Sequence, residues 1–173
     1  MPGSELVDVV DKSDRVLETR TLDECLKLGL LHRAVTVFLR NSKGQMFLQQ
    51  RSKEDDWLPG MWTASCTGHV KSGEDAEAAA ARELDEELGI ACSPIFLFKF
   101  LVPAIRYLGK TERELDIVFE AVSDEAIQLN TKEVEQGIFL TLEQCKEFFK
   151  NNSKEITLDA WLAFDKYTSM KHP

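Results

Sequence analysis

The sequence is poor in the features that mark secreted, membrane-embedded or nucleic-acid-binding proteins. Its four cysteines, Cys25, Cys66, Cys92 and Cys145, form no CxxC pair, which argues against a zinc ribbon and against a disulfide framework. Idle thiols in a reducing compartment are the expectation. No apolar run approaches the length of a membrane span. The N-terminus, MPGSELVDVVDKSDR, has no basic start leading into an apolar stretch, so no secretory signal and a cytoplasmic location are expected. Positive charge is short as well: 21 Lys and Arg stand against 30 Asp and Glu, a net charge of −9. Binding to a nucleic-acid polymer draws on clustered cations, so that class of partner is excluded.

What remains fits one folded domain. At 173 residues with 43% hydrophobic side chains, the chain can bury a sizeable core. ELVDVVDKSDRVLETR reads as an N-terminal hairpin or edge strand, and TLDECLKLG as a short helix capped by Thr21 and stopped near Gly29. AVTVFLR and QMFLQQR, joined by NSKG, carry the clearest strand signal. IFLFKFLV and ELDIVFEAV are strand-like too, whereas TLEQCKEFFKN and TLDAWLAFDKYTSM each begin with a Thr cap and show helical apolar spacing. There are no repeats and no Pro-, Gly- or Ser-rich linker. Mixed strands with helices outside predict a single α/β sandwich: an extension over 1–30, a core over 31–145 and a C-terminal helix over 146–173.

The densest chemical signal is GHVKSGEDAEAAAARELDEELGI, from Gly68 to Ile90. A helix is expected from about Glu74 to Gly89, with the alanines of 78–81 forming a slim packing face. Glu83, Glu86 and Glu87 stand at i, i+3 and i+4 and emerge on one side, with Arg82 as the sole cation in the helix. Carboxylates solvating an outer face would be the ordinary reading of such a charge run. Unrelieved like charge instead points to a hard cation held by oxygen ligands, Mg²⁺ with Mn²⁺ as second choice.

Spacing decides between the two. Gly68, Glu74, Arg82, Glu83, Leu84, Glu86, Glu87, Gly89 and Ile90 match Gx5Ex7REUxEExGU at every position, U being apolar. The seven fixed residues alone would match by chance with a probability on the order of 10⁻⁸ per start position. The segment thus resembles the box of the Nudix hydrolases. That resemblance implies an α/β/α sandwich with a mixed central sheet. It also implies that Glu83, Glu86 and Glu87 are metal ligands, joined by the Thr67 carbonyl just before the box glycine. Glu74 and Arg82 would be a supporting ion pair. The typical family reaction is metal-dependent hydrolysis of a diphosphate linkage in a nucleoside diphosphate derivative, with metal ions bridging phosphate oxygens and activating water. Its substrate would be a small diphosphate, met by a monomer or homodimer.

Outside the box, LHRAVTVFLRNSKGQMFLQQRS, LPGMWTASCTGHV and VDVVDKSDRVLETR resemble the isopentenyl diphosphate isomerase branch of the family. Those isomerases place a catalytic cysteine immediately before the GH of the box, and their metal site uses histidines. His32 and His69 match two histidine positions, and Cys25 falls near a further one. The cysteine position, however, is Thr67, and Cys66 is one residue early, hence on the other face of a strand. The expectation is therefore an isomerase-like scaffold performing hydrolysis, with isomerisation and silent nucleotide sensing as the alternatives. The ordinary roles of the extra residues are hydrogen bonding for His32 and His69 and core packing for Cys66, while Trp57 and Trp62 are expected either to stack on a base or to pack in the core. Glu114 and Asp116, at i, i+2 in a strand, match positions of the isomerases' second acidic pair, and are expected to serve as metal ligands or general base. Glu133 and Glu135 are the second choice for that role.

Overall fold

A computed structural model describes residues 4–171. The fold is organised around β3 (Leu31–Arg40), whose near-continuous apolar run marks a strand covered on both faces. Along its whole length β3 pairs in parallel with β9 (Lys110–Val122), from Leu31 opposite Arg113 to Arg40 opposite Val122. On its other side β3 pairs antiparallel with β6 (Cys66–His69) and, at Val9 opposite His32, with β1 (Leu6–Val10). The hairpin of β1 with β2 (Val16–Thr21), β7 (Ile95–Leu101) on β9, and β4 (Met46–Arg51) with β5 (Trp62–Thr63) and β10 (Val134–Leu140) complete the main sheet. A short β8 (Ile105–Tyr107) folds back on the start of β9.

Alternation along β3 gives the sheet two different faces. Val35, Val37 and Leu39, with Cys66, are buried against α2 (Ala76–Leu88) through Ala79, Ala80, Leu84 and Leu88. Phe38 and Val118 face the opposite way, onto Ala160, Phe164 and Tyr167 of α4 (Leu158–Lys171), with α3 (Leu142–Asn151) alongside. On that same side α1 (Leu22–Leu28) covers Val7 and Val9. The architecture is the α/β sandwich with a mixed sheet that the sequence predicts.

Local details differ from expectation where side chains find better partners. α2 starts after an Asp75 cap and not at Glu74, because the Asp75 carboxylate accepts the Glu77 N–H. Glu74 is thereby free to turn toward Arg82. The Thr157 hydroxyl donates to Thr63 Oγ1 at 3.1 Å, tying the start of α4 to the sheet. The alternation expected at Phe96, Phe98 and Phe100 is broken by an irregularity between Phe96 and Phe98, which leaves Phe96 exposed.

Candidate active site

Strand register assembles the site. With His32 opposite Glu114, Ala34 opposite both Asp116 and His69, and Thr36 opposite Thr67, all these residues share one face of the sheet. Glu112, two residues before Glu114, joins the same row. One ligand atom from each of His32, His69, Glu112 and Glu114 lies within 4.8 Å of the others. His69 Nε2 is 3.3 Å from a Glu112 oxygen and 3.7 Å from a Glu114 oxygen.

The donors fit a divalent cation. His32 Nδ1 lies 3.0 Å from the Leu30 carbonyl, which can only accept, so Nδ1 carries the proton and Nε2 a lone pair. That Nε2 is buried with no hydrogen-bond partner in the structure. Burial, then the neighbouring His69, pushes the His32 pKa down to about 4, so the ring is neutral near pH 7, the form that binds metal. Two imidazole nitrogens with two carboxylates suit Mn²⁺, Fe²⁺ or Zn²⁺, whereas an all-oxygen set suits Mg²⁺.

A second pair of carboxyls lies beside this cluster. Asp116 is buried; Thr36 Oγ1 donates to its Oδ2 at 3.0 Å, while its Oδ1 has no partner. Asp159 comes from the first turn of α4, positioned by Trp62 N–H to Glu155 O at 2.7 Å and Thr157 N–H to Trp62 O at 2.9 Å. Burial, followed by the charge of Asp159, raises the Asp116 pKa well above the carboxylate range. Burial and the charge of Glu112 raise that of Asp159. Both carboxyls are thereby biased toward the protonated form.

The box occupies the other side of β6. Gly68 is required there because a Cβ would overlap the Glu83 side chain. Arg82 donates to both Glu74 oxygens, at 2.8 and 3.0 Å, and to the His69 carbonyl at 3.1 Å, locking loop to helix. It also reaches Glu83 at 2.6 Å and Glu86 at 3.1 Å. Glu83 and Glu87 are buried, and Glu87 accepts from Gln49 Nε2 at 2.7 Å, whereas Glu86 stays exposed. Thr67, half-buried, pairs with Thr36 and lies on the same face of the sheet as His69.

Several residues lie elsewhere. Cys25 is enclosed by Val7, Val9, Leu22 and Leu26 and is not among the clustered donors, Glu112 supplying the fourth. Cys66 points into the α2 core, where burial raises its thiol pKa well above normal. Cys66→Ala is expected to cost about 1 kcal/mol of stability, an ordinary core loss, and to leave the reaction rate unchanged; denaturant melts and initial rates check both. Trp62 packs edge-on against Phe148, and Trp57 against Tyr107. Glu133 accepts from Asn130, and Glu135 is held by Lys53. Glu112, Asp159 and Gln49 are brought to the candidate site by the fold and were not expected there from the sequence. The alternation in TERELD carried a signal for Glu112, but nothing local marked the other two.

The protonation states give a pH signature in metal-free protein. Burial pushes Glu83 up to about 7, and Glu87, Glu114 and Asp116 well above their ordinary values. Above pH 6.5 an unfolded chain has these carboxyls ionised while the folded one retains protons, so stability falls as pH rises. His32 acts oppositely, but only between about 4 and its ordinary value of 6.5. The melting temperature of chelated protein is therefore expected to drop steadily from pH 6.5 to 8.5, and Mn²⁺ should reverse the drop. A flat profile would show these carboxyls already ionised.

A family profile described as the NUDIX domain matches residues 30–162. The isopentenyl-diphosphate Delta-isomerase of Pectobacterium atrosepticum is 34% identical over 95% of this chain and 97% of its own. An isomerase of the same name from Photorhabdus laumondii is 35% identical over 88% of this chain and 89% of its own. The uncharacterized Nudix hydrolase YfcD of Salmonella typhi is 30% identical over 91% and 86%. Among solved structures, DR0079 of Deinococcus radiodurans superposes with a TM-score of 0.71 at 26% identity, over 94% of this chain and 98% of its own. The isomerase relatives overturn the expectation of a hydrolase cleaving nucleoside diphosphate derivatives. The box misleads for a physical reason: a row of carboxylates able to hold a divalent cation for a diphosphate does not by itself decide whether that group is cleaved or merely held.

Proposed function

The chain belongs to the NUDIX family, and we propose that within it the protein isomerises a five-carbon isoprenoid diphosphate, interconverting isopentenyl diphosphate and its allylic isomer. The observation that carries this reading is the pair Asp116 and Asp159, offered from sheet and helix beside the histidine–carboxylate cluster. In this reading one of the two carboxyls serves as proton donor and the other as proton acceptor, the two roles that a double-bond shift needs. It also does so without a thiol at position 67.

The step balances without a co-reactant. The protonated carboxyl of the pair delivers its proton to the terminal methylene carbon, and the C3–C4 double-bond electrons form the new C–H bond. Positive charge at C3 is relieved when the ionised carboxyl takes a proton from C2, whose C–H electrons become the C2–C3 double bond. The roles of the two acids are then exchanged, and the reverse reaction follows the same path. Buried carboxylates nearby favour the developing positive charge.

Glu83, Glu86 and Glu87, with the Thr67 carbonyl, would hold a Mg²⁺, or Mn²⁺ in its place, and that ion would offset the charge of the substrate's diphosphate. His32, His69, Glu112 and Glu114 are assigned to a second divalent ion. Ions held at these residues would neutralise charge for an anionic substrate entering a chain of net charge −9. Arg82 and Glu74 keep loop and helix in register for this grip. The reading is tested by reloading chelated protein with Mg²⁺ and Mn²⁺, adding isopentenyl diphosphate, and resolving the products chromatographically. Accumulation of dimethylallyl diphosphate supports it. Release of phosphate or pyrophosphate without allylic product would overturn it.

A further inference from the structure

The face of the sheet that α2 covers is not covered to its end. Beyond α2 lies a polar layer in which Asp14 accepts from Arg33 at 2.6 Å and from Lys99 at 2.8 Å. Past that layer, Val10, Leu31 and Leu115 form an apolar cluster separate from the main core. Over it opens a cavity of about 340 Å³, walled by Leu31, Leu101, Val102 and the Pro103–Ala104 turn. Two cations, Lys12 and Arg113, complete the lining.

Those cations are the unusual part. In a chain with nine more acids than bases, most of the cations near this end are paired: Arg15 with Asp11, Arg33 and Lys99 with Asp14. Among the described residues Lys12 has no hydrogen bond or ion pair, and Arg113 donates only to the Gly29 carbonyl at 3.2 Å. An apolar trough with unneutralised positive charge at its rim is complementary to an amphiphile bearing a compact anion. The volume lies at the lower end of small-ligand pockets and has room for one short chain.

We infer that this trough is a second binding site, for a small phosphate or diphosphate ester with a short hydrocarbon tail. The apolar walls take the tail, and Lys12 and Arg113 take the head group by charge-assisted hydrogen bonds. A free small molecule fits better than a bilayer lipid, because the acidic chain as a whole is repelled by an anionic membrane surface. The site is distinct from the metal cluster. Leu31 alternates with His32, and Arg113 with Glu112 and Glu114, so the two sites occupy opposite faces of the same strands. The inference does not rest on the reaction proposed above.

The test is amide NMR of the full chain titrated with hexyl phosphate, with inorganic phosphate and hexanol as separate probes. Saturable shifts are expected at Leu31, Leu101, Val102 and Ala104 with hexyl phosphate, and each half-probe should bind at least tenfold more weakly. K12Q and R113Q should each weaken the hexyl phosphate response severalfold, their own spectra showing that they remain folded. Shifts confined to His69 and Glu114, or equal affinity in both variants, would overturn the assignment. So would preferential binding to phosphatidic acid vesicles over the soluble ester.

Discussion

Glu114→Gln is expected to lower turnover at least ~100-fold and to weaken Mn²⁺ binding by about 10–100-fold, while the protein folds normally. The substitution keeps the side chain's volume but removes one of the two carboxyls, with Glu112, that cluster with His69 and His32. Metal-free Glu114→Gln protein should be at least as stable as wild type near neutral pH, because burial already disfavours the ionised carboxyl there. Manganese titration followed by paramagnetic resonance reads the affinity directly. Unchanged affinity would remove Glu114 from the metal site, and full turnover would detach the histidine cluster from the reaction.

The second large effect is expected at the paired carboxyls. Asp116→Asn and Asp159→Asn should each cost ~10²–10⁴ in rate, the range of a lost general acid or base. KM should move little, since neither residue is assigned to the diphosphate. The double variant should be scarcely worse than either single one, because the two act as a unit and either loss halts proton traffic. Thr67→Cys makes an informative companion, placing a thiol on the same face of the sheet as His69 and Thr36. If Asp159→Asn retained full activity, the donor–acceptor pair would have to be sought elsewhere on that face.

Much of this was legible in the sequence, and the parts that were not share a cause. The box announced its helix, its Gly89 stop and its Arg82–Glu74 lock, because each depends on neighbours within one turn or one loop. The sheet side of the site was half legible. Alternation fixed the common face of Glu112, Glu114 and Asp116, but their meeting with His32 depends on the parallel pairing of β9 with β3. Asp159 was silent, since its place over the site depends on a contact between Trp62 and Ile156, residues far apart in the chain. Cys66 was placed correctly by strand parity alone. The hydrolase expectation failed because it weighted an intact box and a missing thiol over the many segments shared with the isomerases. The acid pair proposed in place of the thiol comes from two distant elements, and no local pattern reports it.

The most direct measurement of the central claim is the reaction run in D2O with isopentenyl diphosphate and saturating Mg²⁺ and Mn²⁺, followed by proton and deuterium NMR. Proton transfer through exchangeable carboxyls predicts deuterium entering the methyl group formed at C4 of the allylic product, with the diphosphate intact in the phosphorus spectrum. Loss of the diphosphate signals with no deuterium in carbon would contradict the account.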